Sequence, residues 1–369
     1  MSCLIKENGF ISDVLAMSKM KTTLFLLISL LIIQPVESQS LLDRMRVPIY
    51  VKPSVTIGYD NNILRFSSTE IGETVPNDPA MGDAETFDSE IIYPSIEILY
   101  SPFLSMEHET NIRMSFGSTQ YGQSKNKSYS SLSFRLEHHL GSYQWLKAGY
   151  SLQPDLYLRP YRDADTISKL PVACSFANET IFLSYSHPLT QRIWMTMKGR
   201  RTNQYYESDF TEFDTEITAG YVRFSVKPLS RLQASMWWEN GEGENTTYGD
   251  GFSATSFDRS YHFNRMGAKI EWKINKPSIR IGLSSDNESR RYGTESVDDP
   301  LHSGRSHDDF RYKFQLEKEF INGVSVEGEI RYRERIADSE FEWVTELKSF
   351  RKTEFWLTFS YEFVLDLFY

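Results

Sequence analysis

Apolar and polar residues take turns along most of the chain. The clearest stretch closes the sequence. Phe355, Leu357, Phe359, Tyr361, Phe363, Leu365, Leu367 and Tyr369 hold every second position, with Trp356, Thr358, Ser360, Glu362, Val364, Asp366 and Phe368 between them. Successive side chains of a strand point to opposite faces, so the first set forms one continuous apolar wall. On the edge of a soluble sheet such a wall would invite edge-to-edge aggregation; against lipid it meets a matching solvent. The same period of two runs through Met106, His108, Thr110, Ile112, Met114 and Phe116, through Leu132, Phe134, Leu136, His138 and Leu140, and through Ile193, Met195 and Met197. It continues through Met266 to Ile274, Phe310 to Leu316 and Val324 to Tyr332. The helical period is nearly absent after residue 38.

The connections alternate as well. Short ones centre on Pro102, Gly141, Pro188, Pro228, Pro277 and Asn322-Gly323, residue types that favour tight turns. Longer polar ones are expected over 61–89, 118–127, 157–175, 201–212, 240–260, 286–309 and 336–352. Short turns at one end and long loops at the other predict an all-β fold: a transmembrane, antiparallel, up-and-down β-barrel of about 14 strands (roughly 12–16). Both termini then lie with the short turns in the periplasm, and the long loops face outside.

Lys19 and Lys21 precede the apolar run Leu24–Ile33, followed by Pro35 and the small residue Ser38. A basic start, a short apolar core and a small-residue exit read as a secretory signal peptide over 1–38, with the possibility of a start at Met17 or Met20. A short periplasmic segment, 39–48, would lead into the barrel, 49–369. Composition fits this division. Aromatic residues make up 14% of the chain while mean hydropathy is only -0.44, a conflict that a sheet with one lipid-facing and one wet face resolves. The formal net charge of -10 argues against nucleic acid as a partner. Removal of Cys3 with the leader would leave Cys174 without a disulfide partner.

The terminal pattern Phe363-x-Leu365-x-Leu367-x-Tyr369 resembles the C-terminal signal of bacterial outer-membrane barrels. The resemblance implies residence in the bacterial outer membrane, contact with its lipid, and recognition of these four residues by the barrel-assembly machinery. The opening strand, Val55 to Asn62, is similar to the first strand of barrel families linked to polysaccharide export or surface-lipoprotein display.

The polar registers supply the candidate chemistry. Arg113, Arg135, Lys198, Arg200, Arg223, Lys269, Glu271, Arg280, Arg311, Glu329, Arg331, Arg333 and Glu362 are expected to line the lumen. Rings of charge in a water-filled passage set selectivity, which points to a porin-like channel for small hydrophilic solutes; the same charges could instead pair and plug the lumen. The alternative function is an accessory or surface-interaction barrel whose acidic loops bind a partner or an exported polymer. A hydrolase would need His and Ser within reach of each other, and His108 and Ser115 fall on opposite registers, so no enzyme is expected. His302, His307, Asp308 and Asp309 share one expected loop without metal-site spacing, so no metal or cofactor is expected. The tryptophans are expected to contribute to interfacial girdles.

Overall fold

The computed structural model describes residues 45–75, 78–102, 108–142, 144–162, 171–250, 257–296, 298–320 and 322–366. The signal-peptide region and the last two residues of the assembly pattern, Leu367 and Tyr369, lie outside these. Fourteen long strands follow one another. They are β1 (Ile49–Asp60), β2 (Ser89–Tyr100), β3 (Thr110–Tyr121), β4 (Tyr129–Gly141), β5 (Gln144–Arg162), β6 (Pro171–Pro188) and β7 (Ile193–Tyr206). The second half holds β8 (Thr215–Leu229), β9 (Leu232–Asn245), β10 (Tyr261–Ile274), β11 (Ile279–Tyr292), β12 (Ser306–Glu319), β13 (Val324–Asp338) and β14 (Phe350–Tyr361). Each pairs antiparallel with its sequence neighbours, and β14 returns to β1. Phe363–Leu365 prolong β14 beyond Glu362 and pair with Ile49–Val51 in the register already set by Ser54 opposite Ser360. Closure leaves no free edge, so every strand finds backbone partners without water, as lipid requires.

The two faces separate cleanly. Val55, Ile57, Met114, Phe116, Leu132, Met236, Met266, Ile270, Leu283, Phe314, Phe355 and Leu357 are exposed although they are large and apolar, and all stand on the outward register. Met236 is 64% exposed, a value no soluble sheet face would repeat around its whole girth. Toward the loop end the outward residues turn polar: Asn240 and Glu242 follow Trp238 on β9, and Asn264 and His262 follow Met266 on β10. Trp238 marks that border, its indole N–H donating to Asn264 Oδ1 at 2.8 Å. Trp238 and Trp272 point outward, as girdle residues must, whereas Trp237 and Trp356 turn into the barrel over Gly267 and Gly58. An apolar band on a closed antiparallel barrel is the solution for a bacterial outer membrane, and the chain is a barrel of that class. Among the described residues no helix is long and apolar enough to cross a membrane.

Several strands run further than the alternation suggested. β7, β9 and β11 continue through the stretches expected to open loops at 201, 240 and 286. Consequently His307, Asp308 and Asp309 belong to β12, and only His302 of that group sits in a loop. The connection at Pro102 is longer than a tight turn, and His108 precedes β3 rather than lying in it.

A charged inner wall under a roof of loops

Small hydroxyls dominate parts of the inner face. Ser54 meets Ser95 at 2.6 Å, Ser115 meets Ser133 at 2.6 Å, and Thr56 meets Thr358 across the closing seam at 2.8 Å. These cross-strand pairs satisfy inward polar groups locally. Large inward rings lie flat along the wall because glycines leave room beside them. A Cβ at Gly267 would stand 2.3 Å from Trp237 Cζ2, and one at Gly58 would stand 2.4 Å from Trp356 Cε3.

Charge is concentrated on β7 to β14 and β1. Arg200 Nε binds Glu239 at 2.6 Å, and Arg265 reaches from Glu239 (3.9 Å) to Asp286 (2.7 Å). Arg311 bridges Asp286, Glu288 and Asp309 at 3.2, 3.2 and 3.1 Å. Asp309 also accepts from Arg333 at 2.5 Å and Arg335 at 2.8 Å. A second chain links Lys313 and Arg331 through Glu329, then Arg331 to Glu354 at 3.5 Å. Lys352 joins Glu354 to Asp60, the latter at 2.7 Å, and so carries the network across the seam. Neighbouring strands bring these groups together because all share the inward register.

The residues singled out by sequence fall as follows. Arg200, Arg311, Glu329, Arg331 and Arg333 belong to the network. Arg113 pairs with Glu97, Arg280 with Glu317 at 2.6 Å, Lys269 with Glu271 at 3.0 Å, and Arg135 approaches Glu137 at 3.6 Å, all nearer the turn end. Lys198 stands 4.8 Å over Phe182, and Arg223 stacks 5.6 Å from both Tyr221 and Trp237. Glu362 sits at the turn-end rim, where its backbone N–H donates to Gly323 O. The alternation did not single out Arg265, Asp286, Glu288, Arg290 and Arg335, and it placed Asp309 in a loop rather than on the lumen wall. Asp286, Glu288 and Arg290 do occupy every second position of β11, but their outward neighbours Asn287, Ser289 and Arg291 are polar too, so alternation gives no contrast there.

Loops cover part of the end opposite the short turns. The first loop, 61–88, carries α1 (Ser68–Glu73), started by a capping box between Ser67 and Glu70. Ile63, Leu64, Phe66, Met81 and Ala84 of this loop pack on Tyr157 of β5. Glu70 binds Arg159 of β5 at 2.8 Å, and the Arg159 guanidinium lies 5.1 Å over the Phe66 ring. The last loop carries α2 (Glu342–Lys348), whose Lys348 lies 5.6 Å over Tyr161. Phe210 and Phe213 of the fourth loop extend the roof, Phe213 standing 5.6 Å from Tyr206 and 4.9 Å beneath Arg259. Asn62 fastens the first loop: its side chain accepts from Phe66 N–H and donates to Phe66 O, both at 2.8 Å, and to Arg351 O of β14 at 3.2 Å. Arg65, inside this clamp, takes a left-handed φ of 57°.

No protein-family model matches the chain, and no curated protein sequence matches it. Solved structures do. A loop-deletion form of OmpT, an outer membrane protein of Vibrio cholerae, is 8% identical with a TM-score of 0.44, the match covering 85% of this chain and 99% of that one. The outer membrane channel DcaP of Acinetobacter baumannii is 10% identical with a TM-score of 0.46, over 85% and 96%. An anion-selective porin from Comamonas acidovorans is 8% identical with a TM-score of 0.42, over 85% and 98%.

Proposed function

We propose that this outer-membrane barrel is a porin-like channel giving small hydrophilic solutes a passive or facilitated route, with no catalytic step of its own. The supporting observation is the ion-paired inner wall from Arg200 to Arg335. Paired charges inside a protein add little net stability compared with apolar packing, so a barrel merely filled for stability has no need of them. Lining a passage, they present mutually balanced polar groups to a hydrated solute. Purified chain in planar bilayers is expected to give stepwise conductance, larger after residues 66–85 of the roof are shortened. Silence from both the intact and the shortened barrel would overturn the proposal.

The packed roof favours a second reading, an accessory barrel that presents its loops to a partner or an exported polymer. Loops buried on one another form a defined surface rather than a solvated fringe. Recovery of a stoichiometric partner from membranes, lost when the roof is shortened, would support this reading over the first.

A further inference from the structure

The loop end of the inner wall holds a local excess of cations. Asp309 is 0% exposed and serves three guanidiniums, those of Arg311, Arg333 and Arg335. Arg311 shares itself with Asp286 and Glu288, but Arg333 and Arg335 converge on this single carboxylate. Arg65 hangs from the roof into the same neighbourhood. Burial chiefly, then the fields of Arg333 and Arg335, push its pKa down to about 10 against the opposing carboxylates Asp309 and Asp60.

Beside this cluster, three buried nitrogens lack a hydrogen-bond partner: Arg290 Nε, Arg305 Nε and His307 Nε2. His307 is 4% and Arg305 6% exposed. Arg290 and His307 are register partners on β11 and β12, and Arg305 immediately precedes β12, its carbonyl accepting from Tyr292 N–H at 3.0 Å. The Arg305 guanidinium lies 4.2 Å over the Tyr292 ring, and that ring is 6.3 Å from His307. Unpaired buried donors carry a desolvation cost that an acceptor would remove.

We infer that Arg290, Arg305 and His307, backed by Arg333 and Arg335, form a binding site for a compact polyvalent oxyanion. Guanidinium N–H groups and an imidazole carrying its proton on Nε2 all donate, and an oxyanion offers only acceptors. A polyvalent anion suits the site because Arg290, at 3.0 Å, shares Glu288 with Arg311 while Arg333 and Arg335 share Asp309, so guanidiniums outnumber the carboxylates that pair with them. This inference rests on the channel reading only for its physiological sense, since the binding can be measured apart from conductance.

The test is calorimetric titration of the detergent-solubilised full chain with sodium pyrophosphate and, separately, sodium citrate, in matched chloride. Saturable binding of either supports the site, and the preferred one distinguishes a phosphoryl from a carboxylate ligand. The double variant Arg290→Gln/Arg305→Gln is expected to weaken binding at least about tenfold, as loss of charge-assisted hydrogen bonds should. Arg192→Gln, at a turn on the opposite end, is expected to bind as the wild type does. If the double variant does not fold, Arg305→Gln alone serves. Absence of saturable binding to both anions, or equal binding by wild type and variants, overturns the inference. Conductance without binding would sink this site and spare the channel; binding without conductance would do the reverse.

Discussion

Asp309→Asn removes one negative charge and leaves its shape. The native carboxylate accepts from Arg333 at 2.5 Å, Arg335 at 2.8 Å and Arg311 at 3.1 Å, with no exposed surface of its own. The amide cannot accept on all its former sides, and Arg333 and Arg335 lose the charge that held them, while Arg311 keeps Asp286 and Glu288. Breaking a buried ion pair by removing one partner costs about 3–5 kcal/mol. Here the side chains of Arg311, Arg333 and Arg335 keep 28%, 19% and 23% of their surface, so interior solvent relieves part of their loss. The expected cost therefore lies at the low end, about 3 kcal/mol. Urea unfolding in lipid vesicles, followed by tryptophan fluorescence and by heat-modifiable gel mobility, reads it as a shifted midpoint. Channel recordings of the same variant should show reversal potentials moved toward anion preference. A loss below about 1 kcal/mol would refute the reasoning, because it would mean that Asp309 behaves like an exposed surface pair.

Three further outcomes are expected. Gly267→Ala places a methyl 2.3 Å from Trp237 Cζ2 and 2.8 Å from Asp286 Cβ, so the ring must swing into the lumen, costing about 1–3 kcal/mol and lowering conductance; unchanged tryptophan emission and conductance would contradict it. Phe66→Ala removes the ring that packs against Phe87 and under Arg159, and on the order of 3 kcal/mol of local stability with it, so protease cleavage within 61–88 should quicken markedly; an unaltered cleavage rate would count against a packed roof. His302 donates Nδ1–H to Asp299 at 2.9 Å in the sixth loop, with Arg305, Arg259 and the Tyr292 ring around it. Burial chiefly, and Arg305 after it, lower its pKa to about 4 against the partly opposing Asp299, while a released imidazole would titrate near 6.5. The opened loop therefore takes up a proton first, and closure loses stability as pH falls from about 6.5 toward about 4. Protection factors of the amides over 293–305, taken relative to the intrinsic exchange rate at each pH, should fall between pH 7.5 and pH 5, and unchanged protection factors would refute the assignment.

What could be read from the chain was the transverse order. A period of two fixes which residues share a face, and the apolar set Phe355, Leu357 and Phe359 must meet lipid or another apolar surface whatever its neighbours do. Alternating short and long connections then indicate antiparallel pairing and about 14 strands, within 12–16, and the structure has fourteen long strands with β14 returning to β1. That contrast between faces ends where the hydrocarbon ends. Beyond Trp238 and Met266 both faces meet polar surroundings, so β9, β11 and β12 look like loops in sequence although they continue as strands. The charged cluster lies in that zone, which is why Arg311 and Arg333 were legible while Asp309, Arg290 and Arg335 were not.

The sequence alone thus determined strand faces, closure and the polar lining, because each follows from local periodicity and the solvent it must match. Only the tertiary structure decided which charges meet. Glu239 finds Arg200 two strands away, Asp309 gathers arginines from β12 and β13, and Arg65 arrives from a loop anchored by Asn62. Such meetings depend on register between strands and on how a loop folds back, neither of which is encoded within any one segment.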